Sequence, residues 1–193
     1  MKIAIIDYGA GNIRSVQFAL QRLGKEAIFT RDADQIRAAD KVIFPGVGEA
    51  SSAMGKLQES GLDKVIPTLT QPVLGICLGM QLMCRYSQEN NTNGLGIFDT
   101  DVIRFKVSEK VPQIGWNRIY GLRSSLFDGI GEKEFMYLVH SYYVPAGEQS
   151  IALSTYGIEY ATALHKDNFY GVQFHPEKSS KAGSRLLENF LTI

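Results

Sequence analysis

Apolar residues along the chain follow two different periods. Four short runs read as strands: Ile3-Ala4-Ile5-Ile6, Glu26-Ala27-Ile28-Phe29-Thr30, Lys41-Val42-Ile43-Phe44 and Pro72-Val73-Leu74-Gly75-Ile76. Between the first two, Ile13, Val16, Leu20 and Leu23 recur at helical spacing, with Arg14, Gln17, Gln21 and Arg22 between them and Gly24 as a stop. A helix is predicted after the fourth run, through Met83. Alternation of this kind predicts an α/β fold with a mainly parallel central sheet and helices on both faces.

From about residue 97 to residue 175 the pattern changes. Short β-like runs, Val102-Ile103-Arg104-Phe105, Phe135-Met136-Tyr137-Leu138-Val139, Ile151-Ala152-Leu153-Ser154-Thr155 and Tyr170-Gly171-Val172-Gln173-Phe174, are separated by Asn, Gly and Ser. They are expected as antiparallel additions to the same sheet, within a single domain over 1–193. Leu186, Leu187, Phe190 and Leu191 predict a closing amphipathic helix.

Composition narrows the functional classes. A chain of 193 residues corresponds to roughly one domain, and 45% apolar with 21% charged residues excludes a disordered chain. Lys+Arg 20 balance Asp+Glu 20, which argues against a basic nucleic-acid face. No apolar run approaches the roughly 20 residues that span a bilayer, and the first apolar stretch is too short for a signal peptide. Two cysteines, Cys77 and Cys84, are too few for a disulfide framework or a Cys-rich zinc site. The expectation is a soluble cytoplasmic protein without a metal or cofactor.

Three glycine-rich segments approach nucleotide motifs and miss. Gly9-Ala10-Gly11-Asn12-Ile13-Arg14 and Gly46-Val47-Gly48-Glu49-Ala50-Ser51 both lack the Gly or Ala that closes a dinucleotide fingerprint. Gly55-Lys56 lacks the upstream Gly and the following Ser/Thr of a phosphate loop. These glycines read as tight strand-to-helix turns.

Gly75-Ile76-Cys77-Leu78-Gly79 is more informative. It places a nucleophile between glycines at a strand-to-helix junction, as a nucleophile elbow does. A sharp turn lifts the central side chain off the sheet, and the helix N-terminus favours thiolate over thiol. The free N–H groups there also suit a developing oxyanion. Cys84, two helical turns further on, reads as core.

A thiol nucleophile needs a proton acceptor, and the chain offers His140, His165 and His175. His175-Pro176-Glu177 follows an apolar run, and Pro176 biases His175 toward extended geometry. In an extended chain residues two apart share a face, so Glu177 can hold the His175 ring. His165 has no partner motif and reads as structural; His140 also reads as structural, in a loop near substrate.

These residues carry a resemblance to class I (triad-type) glutamine amidotransferases over nearly the whole chain. The segments are Asp7-Tyr8-Gly9-Ala10-Gly11-Asn12, Pro45-Gly46-Val47-Gly48, Gly75-Ile76-Cys77-Leu78-Gly79-Met80-Gln81, Lys110 to Asn117, His140-Ser141-Tyr142 and Gly171 to Ser179. Within the class, the opening segment and Gly115-Trp116-Asn117 resemble the glutaminase subunits of imidazole glycerol phosphate synthase. The elbow alone does not separate these from the anthranilate, guanylate or pyridoxal phosphate pathways. A non-catalytic flavodoxin-like binding module, with Cys77 as a buried thiol, is the remaining alternative.

The resemblance implies a flavodoxin-like fold and a triad of Cys77, His175 and Glu177. It implies an oxyanion hole from the N–H of Leu78 and a second N–H of the Gly46-Val47-Gly48 loop. It sets Gln81, Glu89, Ser141 and Tyr142 at the α-amino and α-carboxylate ends of glutamine; for Gln81 and Glu89 a solvated helix face is the alternative. It implies a (β/α)8-barrel cyclase partner, which receives the ammonia, and an oxyanion loop that responds to that partner. Trp116, the only Trp, is then an interface anchor beside Asn117, or else a core residue. Lys178, with Lys181 and Arg185, faces the partner or is a solvated helix start. Gln113-Ile114 departs from the His-Met often found in the family.

Overall fold

Strand, helix and strand succeed one another from the first residues of the computed structural model, which describes residues 1–9 and 13–193. In chain order come β1 (Ile3–Ile6), α1 (Ile13–Arg22), β2 (Ile28–Thr30), α2 (Ala33–Arg37) and β3 (Lys41–Gly46). Then follow α3 (Ala50–Ser60), α4 (Leu62–Val65), β4 (Val73–Cys77) and α5 (Leu78–Met83). The second half holds β5 (Cys84–Ser87), β6 (Thr92–Asn93), β7 (Phe98–Arg104), β8 (Gln113–Arg118), β9 (Phe135–His140) and β10 (Tyr142–Pro145). It closes with β11 (Ser150–Tyr156), β12 (Ile158–Lys166), β13 (Phe169–Val172) and α6 (Ser180–Thr192).

Among the described residues eleven strands form one sheet, in the order β2-β1-β3-β4-β13-β12-β10-β7-β5-β6, with β11 beside β12. The first five are parallel neighbours. β12 and β10 then pair antiparallel, as expected for the second half. β1, β3 and β4 are buried along their whole length. Their side chains divide by parity: Ile3, Ile5, Ile43, Leu74 and Ile76 meet α1 and α6, while Ala4, Ile6, Val42, Phe44 and Val73 meet α3 and α5. Covering on both faces is why these runs are continuously apolar rather than alternating.

Three expectations about the strands and their flanks need correction. Phe135–Val139 does not join the main sheet. It lies in β9, which pairs only with β8 as a separate two-stranded sheet. Alternation on β9, with Met136, Leu138 and His140 buried, packs this hairpin by one face on the core. Second, β13 stops at Val172, so Gln173 and Phe174 lie past the strand. Third, Cys84 opens β5 instead of continuing a helix; it is buried as expected, and both cysteines are free. Ala10, Gly11 and Asn12, from the first glycine-rich segment, lie outside the described residues. Gly55 lies inside α3, away from any strand-to-helix turn. No helix among the described residues is long and apolar enough to cross a membrane.

Candidate active site

β3, β4 and β13 end side by side, and the candidate residues lie at and just beyond their carboxyl ends. Open α/β sheets place their sites at this edge. The register pairs Gly46 with Cys77 and Val172 with Ile76.

Cys77 sits at the junction of β4 and α5 with φ 53° and ψ −111°. A side chain at positive φ is strained, and this strain turns the thiol off the strand. The flanking glycines have a specific reason. A Cβ on Gly79 would land on the carbonyl oxygen of Phe44, and one on Gly75 would strike Met83 and the Met80 backbone. A Cβ on Gly46 would come within 2.6 Å of the Gly79 nitrogen. The elbow is thus pressed against β3 with no side chain between.

His175 is extended, φ −99° and ψ 95°, as Pro176 dictates. The path to Glu177 is not the extended pleat expected, however. Pro176–Lys178 form a 3-10 turn, with proline at its start where a missing N–H costs nothing. That turn brings Glu177 Oε1 to 2.9 Å from His175 Nδ1, with both side chains almost fully buried. β9 and Ser179 hold the loop: the His175 N–H donates to Tyr137 O at 2.9 Å, and Ser179 Oγ donates to His175 O at 2.7 Å.

Burial opposes a charged His175, but the neighbouring Cys77 sulfur and Glu177 outweigh it and raise its pKa to about 10. The thiol–imidazole hydrogen bond itself is open in this geometry. His175 Nε2 is buried without a hydrogen-bond partner, while Cys77 Sγ contacts Val139 O at 3.9 Å. The pair is close enough to interact electrostatically, and Nε2 is the ring atom that Glu177 leaves free.

A cavity of about 330 Å³ opens on these groups, at the small end of the usual range for small-molecule sites. Its lining includes Cys77, His175, Leu78, Val47 and Gly48, and also Gln81, Glu89, Ser141 and Tyr142. The structure therefore gathers every residue expected at the nucleophile, oxyanion and substrate positions around one space. Leu78 begins α5, where an N–H has no partner within the helix.

Gln81 is 5% exposed, which removes the solvated-face alternative. Its Nε2 donates to Tyr142 O at 3.1 Å and to Gln173 Oε1 at 2.8 Å. Glu89 lies in a 3-10 turn, half-buried, and Oε2 accepts the Ala50 N–H at 2.8 Å at the start of α3. Burial raises its pKa, and the Ala50 N–H partly offsets this. Pro112, Val139 and His140 line the cavity as well and were not expected as site residues. His140 is buried; burial lowers its pKa to about 4, so the ring is neutral and Nδ1 donates to Tyr142 O at 2.7 Å. His165 stacks on Tyr170 at 4.2 Å, away from the cavity.

Outside the cavity, Trp116 is 52% exposed on β8, so the core alternative fails. It borders a second hollow of about 630 Å³ with Glu177, Lys178, Lys181 and Arg185. His175 thus lines the first cavity and its partner Glu177 lines the Trp116 hollow. Lys178 is exposed, with Nζ 5.9 Å from the Tyr137 ring centroid. Asn117 does not face outward freely: Nδ2 donates to Thr155 O at 2.9 Å, tying β8 to β11. Gln113 turns inward and accepts from Tyr160 OH at 2.9 Å, whereas Ile114 is exposed. The departure from His-Met thus divides between a buried polar contact and a surface position. No cluster of His, Cys, Asp and Glu able to hold a metal occurs among the described residues.

The family model for "Glutamine amidotransferase class-I" matches residues 4–193. The chain belongs to this family. Relatives of this amidotransferase include "Imidazole glycerol phosphate synthase subunit HisH" of Bacteroides fragilis strain YCH46, 60% identical over 196 residues with both chains fully covered. The protein of the same name from Haemophilus influenzae strain ATCC 51907 is 49% identical, covering 99% of this chain and 97% of the relative. That from Escherichia coli strain K12 is 47% identical with both fully covered. Among solved structures, a putative GMP synthase protein from Thermoplasma acidophilum superposes with TM-score 0.78 at 20% identity, covering 100% of this chain and 92% of its own. At that identity the likeness concerns the fold of the amidotransferase.

Proposed function

We propose that this chain is the glutaminase subunit of an imidazole glycerol phosphate synthase in histidine biosynthesis. The observation that carries the chemistry is the buried His175–Glu177 pair at 2.9 Å beside a strained, cavity-lining cysteine. Likeness along the full chain to subunits of that name, at 47–60% identity, supports the pathway.

In this reading Cys77 Sγ attacks the side-chain amide carbon of glutamine. His175 Nε2 takes the thiol proton, and Glu177 holds Nδ1 and the ring orientation. The negative charge on the amide oxygen is met by the N–H of Leu78 and an N–H of the Val47-Gly48 turn. Each such donor is worth about 3–4 kcal/mol of barrier. His175 returns the proton to the leaving nitrogen, ammonia departs, and a glutamyl thioester remains. Water adds to the thioester with His175 as base, releasing glutamate and the thiol.

Both N–H bonds of Gln81 are engaged inside the protein, so it meets substrate only through its carbonyl oxygen. An acceptor suits the α-ammonium group, and Glu89 adds negative charge for the same end. Ser141 and Tyr142 then serve the α-carboxylate. Ammonia freed into water at neutral pH is protonated and lost as a nucleophile. It passes instead to a (β/α)8-barrel cyclase subunit, docked at Trp116, Asn117 and Lys178. That barrel uses it to form imidazole glycerol phosphate and aminoimidazole carboxamide ribonucleotide in the cytoplasm.

Cys77→Ala in the assembled complex tests the reading. Glutamine-dependent turnover disappears and turnover fed by ammonium salts survives. Persisting glutamine-dependent turnover, or co-purification with an anthranilate-synthase-type protein in place of a barrel, refutes it.

A further inference from the structure

Gln173 is completely buried, polar, and placed by the sheet register beside the nucleophile. Val172 and Ile76 are the last paired residues of parallel β13 and β4, so the next residue on each chain is Gln173 and Cys77. Gln173 Nε2 donates to Cys77 Sγ at 3.7 Å. Its Oε1 accepts from Gln81 Nε2 at 2.8 Å, and Gln81 Nε2 donates in turn to Tyr142 O at 3.1 Å.

This relay has one polarity. Turning the Gln173 amide over would set its NH2 against the Gln81 NH2 and its oxygen against the sulfur. Gln81 cannot turn to compensate, because its own oxygen would then face Tyr142 O, which is an acceptor. The positive end of the Gln173 amide therefore always faces the sulfur. A thiolate in a buried site loses hydration, and a preset donor replaces part of it. Filling space alone would need no amide here, since an apolar residue avoids the burial of two polar groups.

We propose that Gln173 is a further catalytic residue, donating an N–H to the Cys77 thiolate, and that Gln81 positions it. The inference rests on Cys77 being the nucleophile of the function proposed above. Gln173 keeps its proton throughout; the thiol proton passes to His175. The work of Gln173 is to lower the free energy of the sulfur anion before attack.

The test is the pH dependence of Cys77 alkylation by iodoacetamide in the full chain, read by mass spectrometry of the Cys77 peptide. Gln173→Met keeps an unbranched side chain without the donor. Gln173→Glu keeps an acceptor for Gln81 but turns an oxygen toward the sulfur. Both are expected to raise the alkylation midpoint by about one pH unit or more, a tenfold slowing below the midpoint, with the high-pH plateau retained. Thermal melts identify the variants that fold, and Gln173→Leu, which also lacks the donor and adds no charge, takes the place of Gln173→Met if that variant does not fold. An unshifted midpoint in a folded variant overturns the inference, as does slowing by one factor at every pH, the mark of a packing role. If Cys77 of the unchanged chain resists alkylation at all pH values, the glutaminase reading fails and takes this inference with it.

Discussion

The strain at Cys77 can be measured without its chemistry. Cys77→Ala and Cys77→Gly both remove the sulfur and all catalysis, and they differ by one methyl at φ 53°, ψ −111°. In an ordinary element alanine is favoured over glycine by about 0.5–1 kcal/mol. A side chain in a sparsely populated region costs about 1–3 kcal/mol, and glycine avoids this cost. The mid-range difference predicts that Cys77→Gly is more stable than Cys77→Ala by about 1 kcal/mol, the reverse of the usual order. For a chain of this length each kcal/mol moves Tm by about 2–4 °C. Urea denaturation and calorimetry of the two variants, in one buffer and at one protein concentration, read the difference directly. If Cys77→Ala equals or exceeds Cys77→Gly in stability, the elbow stores no backbone strain and its positive φ needs another cause.

Gly79→Ala places a methyl on the Phe44 carbonyl, and backbone on both sides leaves nothing flexible to yield; we expect a loss of about 1–3 kcal/mol in urea melts and loss of glutamine turnover, and wild-type values for both would refute the close approach. Glu177→Gln lowers the raised pKa of His175, read from its ring-proton chemical shift by NMR titration. A pKa held above 6.5 adds stability that is fully present below pH 6.5 and lost as pH rises toward about 10. The stability gap between the chain and Glu177→Gln is therefore widest below pH 6.5 and narrows above it, and a gap independent of pH would contradict this. Trp116→Ala should leave the melt of the isolated chain within about 0.5 kcal/mol. It should weaken the barrel complex by about 2 kcal/mol or more, roughly thirtyfold in Kd by calorimetric titration; unchanged affinity would remove Trp116 from the interface.

The parallel half of the fold is legible because β1, β3 and β4 are short runs buried on both faces, with Gly46 closing β3 and Pro72 preceding β4. The elbow is legible for a similar reason: its glycines answer a local steric demand. The second half is harder. Phe135–Val139 alternates like any half-buried strand, and nothing in that alternation says which sheet receives it; its partner β8 lies earlier in the chain, across a long irregular segment. The strand that carries Trp116 is absent from the apolar pattern, because Gly115 and the polar Gln113, Asn117 and Arg118 leave it only two apolar positions. Glu177 does stand beside His175, but by a different route from the one expected, since a 3-10 turn and an extended pair can both bring residues two apart together. Gln173 carries a signal of its own: a polar residue inside an apolar run at the end of a central strand demands a buried partner.

Gly46, Gly75 and Gly79 meet where three backbone segments touch without a methyl between them. A side chain added at Gly79 would meet only the backbone of Phe44 and Pro45, and one at Gly46 or Gly75 would press on the backbone of Gly79 or Met80 as well as on the Leu78 or Met83 side chain. Directed evolution toward a different amide donor must therefore draw its variation from the roof of the cavity, at Pro112, Ser141 and Tyr142, and leave the floor beneath the sulfur untouched.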